Sequence, residues 1–172
     1  MRDALSPYAH DGRIYGISNK HLTAAQIRSR IPFPLFYDRY FKFAFVRNPW
    51  SFEASLYNFA KRKGELPEGQ PFEAFLEGRK QRRSTSGPQA KFVVDAQDRL
   101  IVDHVGRMEK LEDEFAEICR RIGFSDADRP RIPHSNQSTF EDWRPLYNDR
   151  TRAMVAEMSE KDIRMFGYKF ED

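Results

Sequence analysis

The chain has little of what staples or coordinates a small protein. Its 172 residues include a single cysteine, Cys119, which excludes a disulfide within the chain and a metal cluster built on cysteine. No His, Cys or Asp grouping stands at metal-ligand spacing either, so no metal is expected. Long apolar runs are missing, which leaves no membrane-spanning segment. The opening Met-Arg-Asp-Ala-Leu-Ser-Pro lacks the apolar core of a signal peptide, so a cytoplasmic chain is the expectation. A strong charge of one sign is also lacking. With 29 basic and 26 acidic residues the net charge is +3, compatible with anionic small molecules or polyanionic sugars but too weak to argue for nucleic acid. No Gly-x-x-x-x-Gly-Lys-Ser/Thr phosphate loop occurs. Nothing in the sequence speaks to oligomeric state.

What is present is a globular composition, 40% hydrophobic and 14% aromatic, of a length that buries a core without staples, read as one domain over 1–172. The informative stretch runs from Lys42 to Phe59. Phe43-Ala44-Phe45-Val46 has the length and character of a buried strand, and it stops at Arg47-Asn48-Pro49. Asn48 suits an N-cap, and Pro49 suits the first helical position, where its missing N–H costs nothing. Residues 50–62 contain no further breaker. Strand, turn and helix follow, with the helix's first N–H groups and positive dipole end expected to face a ligand such as phosphate. Arg47 lies in the turn, while Asn48, Ser51 and Ser55 fall three and four apart and so share one helix face. Taken alone, these residues read as a helix cap with a surface arginine.

Arg47-Asn48-Pro49, with a serine eight residues after the arginine and Tyr57 two further on, resembles the 3′-phosphate-binding motif of sulfotransferases that use 3′-phosphoadenosine 5′-phosphosulfate. The carbohydrate sulfotransferase branch is the nearest in pattern. The resemblance implies a P-loop-like α/β fold, a parallel sheet flanked by helices. It also implies that Arg47 and Ser55 hold the nucleotide's 3′-phosphate, with Asn48 and Ser51 beside them.

Earlier in the chain, residues 13–18 offer a short alternating strand, and Thr23 is placed to cap a short helix that ends before Pro32 and Pro34. His21 lies just upstream. In similar enzymes a histidine in such a segment takes the acceptor hydroxyl's proton, and an unperturbed histidine titrates near neutrality. His21 is therefore the candidate base, the alternative being a histidine that only hydrogen-bonds near a helix start.

Beyond the motif, Lys61, Arg62 and Lys63 with Gly64 form a basic helix end, and a helix starts near Phe72. Residues 78–91, with five cations among Ser, Thr, Gly and Pro, read as a surface loop that either covers an anion or is merely solvated. Leu100 to Val105 predicts a second buried strand turning at Gly106 into a helix whose apolar stripe is Leu111, Phe115, Ile118, Cys119 and Ile122, capped at Gly123. The acids of that helix, Glu109, Glu112, Asp113, Glu114 and Glu117, read as a solvated face. The aliphatic-Asp-x-aliphatic-Gly-Arg-x-Glu-x-Leu pattern of this segment again resembles the family. So does His134-Ser135-Asn136-Gln137-Ser138 ahead of Trp143 to Tyr147, which places Asn136 and Ser138 beside the nucleotide. A last helix is expected over 149–165, followed by Gly167-Tyr168-Lys169-Phe170, similar to the family's chain ends.

The resemblance covers about 21–170, with two departures. No segment before Lys42 is similar to the Pro-Lys-x-Gly-Thr-Thr/Ser loop that holds the 5′-phosphosulfate, so either Met1 is an internal methionine of a longer protein or half the donor site is lacking. Phe52 stands where many relatives carry a basic residue. The implied activity is transfer of a sulfuryl group to a hydroxyl or amine of a carbohydrate. Two alternatives from other classes are a non-catalytic nucleotide-binding remnant and a basic module that grips a polyanion through Arg82 and Arg83.

Overall fold

The computed structural model describes residues 22–31, 34–81, 87–132 and 142–172. These residues fall into two compact units, one drawn from 1–46 and 91–137 and the other from 47–90 and 138–172. The described part is helix-rich with one small parallel sheet, a mixed arrangement compatible with an α/β protein. The expected strand over 13–18 lies outside the described residues.

In the first unit, helix α1 (Ala24–Arg30) opens as expected on Thr23, whose hydroxyl accepts from the Gln26 N–H while the Gln26 side chain accepts from the Thr23 N–H. Such a reciprocal box contributes about 1 kcal/mol. Pro34 does more than stop that helix, because it starts a second one, α2 (Pro34–Arg39). Strand β1 (Phe43–Val46) matches its expected bounds, but only Val46 is fully buried. It pairs in parallel with β2 (His104–Arg107), Phe43 opposite His104 and Val46 opposite Arg107.

The second strand thus starts four residues later than the apolar run at 100–105 suggests and overlaps it only at His104 and Val105. Leu100 is instead bridged antiparallel to Val94 and is half exposed, because the Asp95 carboxylate draws residues 95–99 into a tight turn by accepting from the Gln97 and Arg99 N–H groups. Gly106 lies within the strand rather than in a turn. Phe45 stands against it, and a Cβ at position 106 would meet Phe45 Cε1 at 2.9 Å and Glu114 Cβ at 3.2 Å. Gly106→Ala should therefore lower stability by about 1–3 kcal/mol through forced displacement of the ring. An unchanged urea midpoint for that variant would mean that the ring moves aside without cost.

After β2 a 3-10 turn (Met108–Lys110) leads into a helix over Leu111–Arg121. Its stripe is buried at Phe115, Ile118 and Cys119, with Phe124 and Ile132 packed against it, while Ile122 lies beyond the helix and is exposed. Gly123 takes a positive φ of 95° and lets the Phe124 N–H return to the Cys119 carbonyl. One of the acids departs from the solvated face. Glu114 accepts from the Arg107 N–H and lies 2.8 Å from His104 Nε2, so it ties the helix to β2.

The second unit holds α3 (Pro49–Arg62) and α4 (Phe72–Gln81), and later α6 (Asp149–Met158) and α7 (Glu160–Phe166), α5 being the Leu111–Arg121 helix. The single helix expected over 149–165 is two, broken at Ser159, whose φ of −119° and ψ of 21° leave the helical region. An aromatic cluster joins Trp50, Tyr147, Trp143 and Phe170, with ring centroids 5.0–5.7 Å apart in edge-on pairs. Phe72 extends it to Tyr57 and Phe75. Edge-on pairs add about 0.5–1.5 kcal/mol each beyond area burial, so this cluster contributes to the unit's cohesion. Trp143 and Tyr147, half-buried, pack their rings into this cluster. The Tyr147 hydroxyl donates to the Trp50 carbonyl at 2.7 Å. Burial, with some help from the charge of Glu53, pushes that phenol far above its usual range, so it remains a donor.

The basic stretch 78–91 is structured at both ends. Residues 78–81 complete α4, and Gln89–Phe92 form a 3-10 turn with Ala90 fully buried. Two of its cations are engaged by acids: Arg79 by Glu53 and Lys80 by Glu157. Arg82 and Arg83 lie outside the described residues. Among the described residues no helix is long and apolar enough to cross a membrane.

Candidate anion-binding turn

The chain leaves β1 at Val46 and enters α3 at Pro49, so Arg47 and Asn48 make the turn. Asn48 is the N-cap, as its residue type suggests, and it is wholly buried. Its carboxamide oxygen accepts from the Trp50 and Ser51 N–H groups at 3.0 and 3.3 Å, and its nitrogen donates to the Lys169 carbonyl at 2.8 Å. The Phe52 N–H is taken by the Asn48 carbonyl at 2.8 Å. Here the expectation that the helix's first N–H groups face a ligand is corrected. The cap folds its own oxygen over them, and Pro49 has none to offer. What the helix end still provides is its dipole, about half a positive charge.

Side chains carry the polar character of the turn instead. Arg47 Nε donates to Ser51 Oγ at 2.9 Å, which fixes the plane of the guanidinium against the first turn of α3. Ser55 is one helical turn beyond Ser51 on the same face. It is half-buried, and among the described residues its hydroxyl has no hydrogen-bond partner. The structure thus joins Arg47 to Ser51 directly and sets Ser55 next in line, while Asn48 faces into the fold and holds the turn. A guanidinium held in plane, a hydroxyl beside it and a helix dipole behind them form an arrangement that suits a tetrahedral anion. His21, Asn136 and Ser138 lie outside the described residues.

Three neighbours carry no signal that sequence reading picked out. Gln89 brackets the backbone of Arg47, its oxygen accepting from the Arg47 N–H at 2.9 Å and its nitrogen donating to the Arg47 carbonyl at 2.7 Å. Asp162 accepts from the Gln89 and Ala90 N–H groups at 2.8 and 2.7 Å. Burial lifts this carboxyl above the usual range, while the N–H groups of Ala90 and Gln89 pull it partway back. Glu53, buried on α3, forms a forked pair with Arg79, with Arg79 Nη2 to Glu53 Oε1 at 2.7 Å. Burial raises the Glu53 carboxyl too, and Arg79 offsets that in part. The one available clue was Asp162, an acid seven residues after Val155 and so on an apolar face of the single helix expected over 149–165.

No protein-family model, curated protein or solved structure matches this chain.

Proposed function

We propose that this chain is sulfotransferase-like and that Arg47, Ser51 and Ser55 receive the 3′-phosphate of 3′-phosphoadenosine 5′-phosphosulfate. The observation that carries this reading is the Arg47 guanidinium held 2.9 Å from Ser51 Oγ at the start of a helix that directly follows a parallel strand. In this reading β1 and β2 are the described part of a P-loop-like parallel sheet, and Asn48 keeps the turn in shape rather than touching the nucleotide. The sulfuryl group goes to a hydroxyl or amine of a carbohydrate acceptor. The acceptor atom attacks sulfur in line as the bond from sulfur to the bridging oxygen breaks, and the electron pair leaves on the 5′-phosphate. The acceptor's proton passes to a base, the role the family resemblance gives His21. Positioning and charge neutralisation supply most of the acceleration in such transfers, as in phosphoryl transfer.

Thermal unfolding with increasing 3′-phosphoadenosine 5′-phosphate tests the binding half of the reading. Saturating nucleotide should stabilise the protein, by about 2.7 kcal/mol at a hundred times Kd. Arg47→Ala should weaken binding by about ten- to a hundred-fold, since a hydrogen bond to a charged group contributes about 1.5–3 kcal/mol, and Ser55→Ala should weaken it less. A parent protein indifferent to the nucleotide, or variants that bind as tightly as the parent, would sink the assignment. Binding that ignores the nucleotide but takes up sulfated polymer and falls steeply with salt would mark a polyanion-binding module instead.

A further inference from the structure

We infer that Gln89 is the positioning residue of the Arg47 turn, with Asp162 holding Gln89 in place. This rests on the reading of Arg47 as the anion-binding group. A turn residue has an N–H and a C=O that no helix or sheet ladder uses, and buried groups of that kind need partners. For Arg47 both partners come from one side chain. The Gln89 carboxamide spans the residue, accepting at 2.9 Å and donating at 2.7 Å, in the manner of a neighbouring strand. Such a clamp fixes both peptide planes flanking the Arg47 Cα, and so fixes the direction in which its side chain leaves the backbone. The Nε bond to Ser51 then sets the far end.

Gln89 itself stands on a 3-10 turn, a short element with little rigidity of its own. The Asp162 carboxylate on α7 supplies that rigidity by receiving the N–H groups of Gln89 and Ala90, one on each oxygen. Asp162 is 2% exposed and Ala90 is fully buried, so water cannot readily replace these bonds. The path from α7 to the guanidinium therefore runs through Asp162, Gln89 and the Arg47 backbone. None of the three steps requires Gln89 to touch a ligand, which makes it a positioning group and not a catalytic one.

The test is made on the full chain with Gln89→Ala, Gln89→Glu and Asp162→Asn. The side-chain Nε–H resonance of Arg47, assigned by its absence in Arg47→Lys, reports the clamp without any ligand. Gln89→Ala should shift that signal and speed its exchange with water, and Gln89→Glu, which keeps the acceptor but loses the donor, should do so to a smaller degree. Nucleotide affinity should fall about ten-fold in Gln89→Ala, the loss expected from two neutral hydrogen bonds. In an Arg47→Ala background the same change should cost nothing more, because the effect travels through the arginine. A merely structural glutamine would lower the melting temperature in both backgrounds equally and leave the Nε–H signal of the folded protein unmoved, and that result overturns the inference. If the signal responds but the parent protein does not bind nucleotide, the positioning role stands and the proposed function falls.

Discussion

Arg79→Ala should cost about 3–5 kcal/mol of stability, the range for breaking a buried ion pair by removing one partner. The side chains of Arg79 and Glu53 are 14% and 5% exposed, and the guanidinium meets both carboxylate oxygens. Without it, Glu53 is left charged in a site that already raises its pKa. Glu53→Ala should be milder, because Arg79 sits nearer the surface and its long stem can carry the charge outward. Glu53→Leu combined with Arg79→Met should recover most of the loss, since matched apolar groups of similar volume often replace such pairs without penalty. Urea unfolding of the four proteins decides the matter, and a deficit below 1 kcal/mol in Arg79→Ala would show that water reaches Glu53.

The pH dependence of that variant has a defined sign. A carboxyl whose folded pKa lies above its unfolded value of about 4.5 keeps its proton longer in the folded state, so the folded form binds more protons between the two values. Stability then falls as pH rises through that window and recovers on acidification. Arg79→Ala should widen the window, and its deficit relative to the parent should shrink as pH drops toward the ordinary carboxylate range.

The second large effect is expected at Asn48. Asn48→Ala removes a cap acting on two N–H groups and a donor to the Lys169 carbonyl, all at a position with no solvent exposure. Cap loss contributes about 0.5–2 kcal/mol and a buried group left without a partner about 1–3, so a total near 2–4 kcal/mol is expected. Asn48→Asp separates the parts. It keeps the cap and its favourable charge at the helix start, but sets a carboxylate against the Lys169 carbonyl. If aspartate restores full stability, the bond to Lys169 carries no weight. Calorimetric melting of the two variants distinguishes these cases.

The strand, turn and helix from Phe43 to Arg62 were legible because local chemistry decides them: an apolar run, a side chain suited to capping, and a proline where no N–H is needed. The caps at Thr23, Gly64 and Gly123 were legible for the same reason. The second strand was misplaced because Leu100 to Val105 is the more apolar run, whereas pairing with β1 selected His104–Arg107, a segment whose suitability depends on Gly106 admitting the ring of Phe45. Within the turn, spacing placed Asn48, Ser51 and Ser55 on one helix face with Arg47 just ahead of them. It could not reveal that Asn48 would use both ends of its carboxamide within the fold, nor that Gln89, forty-two positions away, would clamp Arg47. Those are contacts of distant partners, and no periodicity encodes them.

Cys119 gives the chain a built-in reporter. It is 1% exposed, burial pushes its thiol pKa upward, and it belongs to the unit that does not contain Arg47. Alkylating reagents can reach that sulfur only when its surroundings open, so the rate of modification follows the breathing of that unit, with no label introduced.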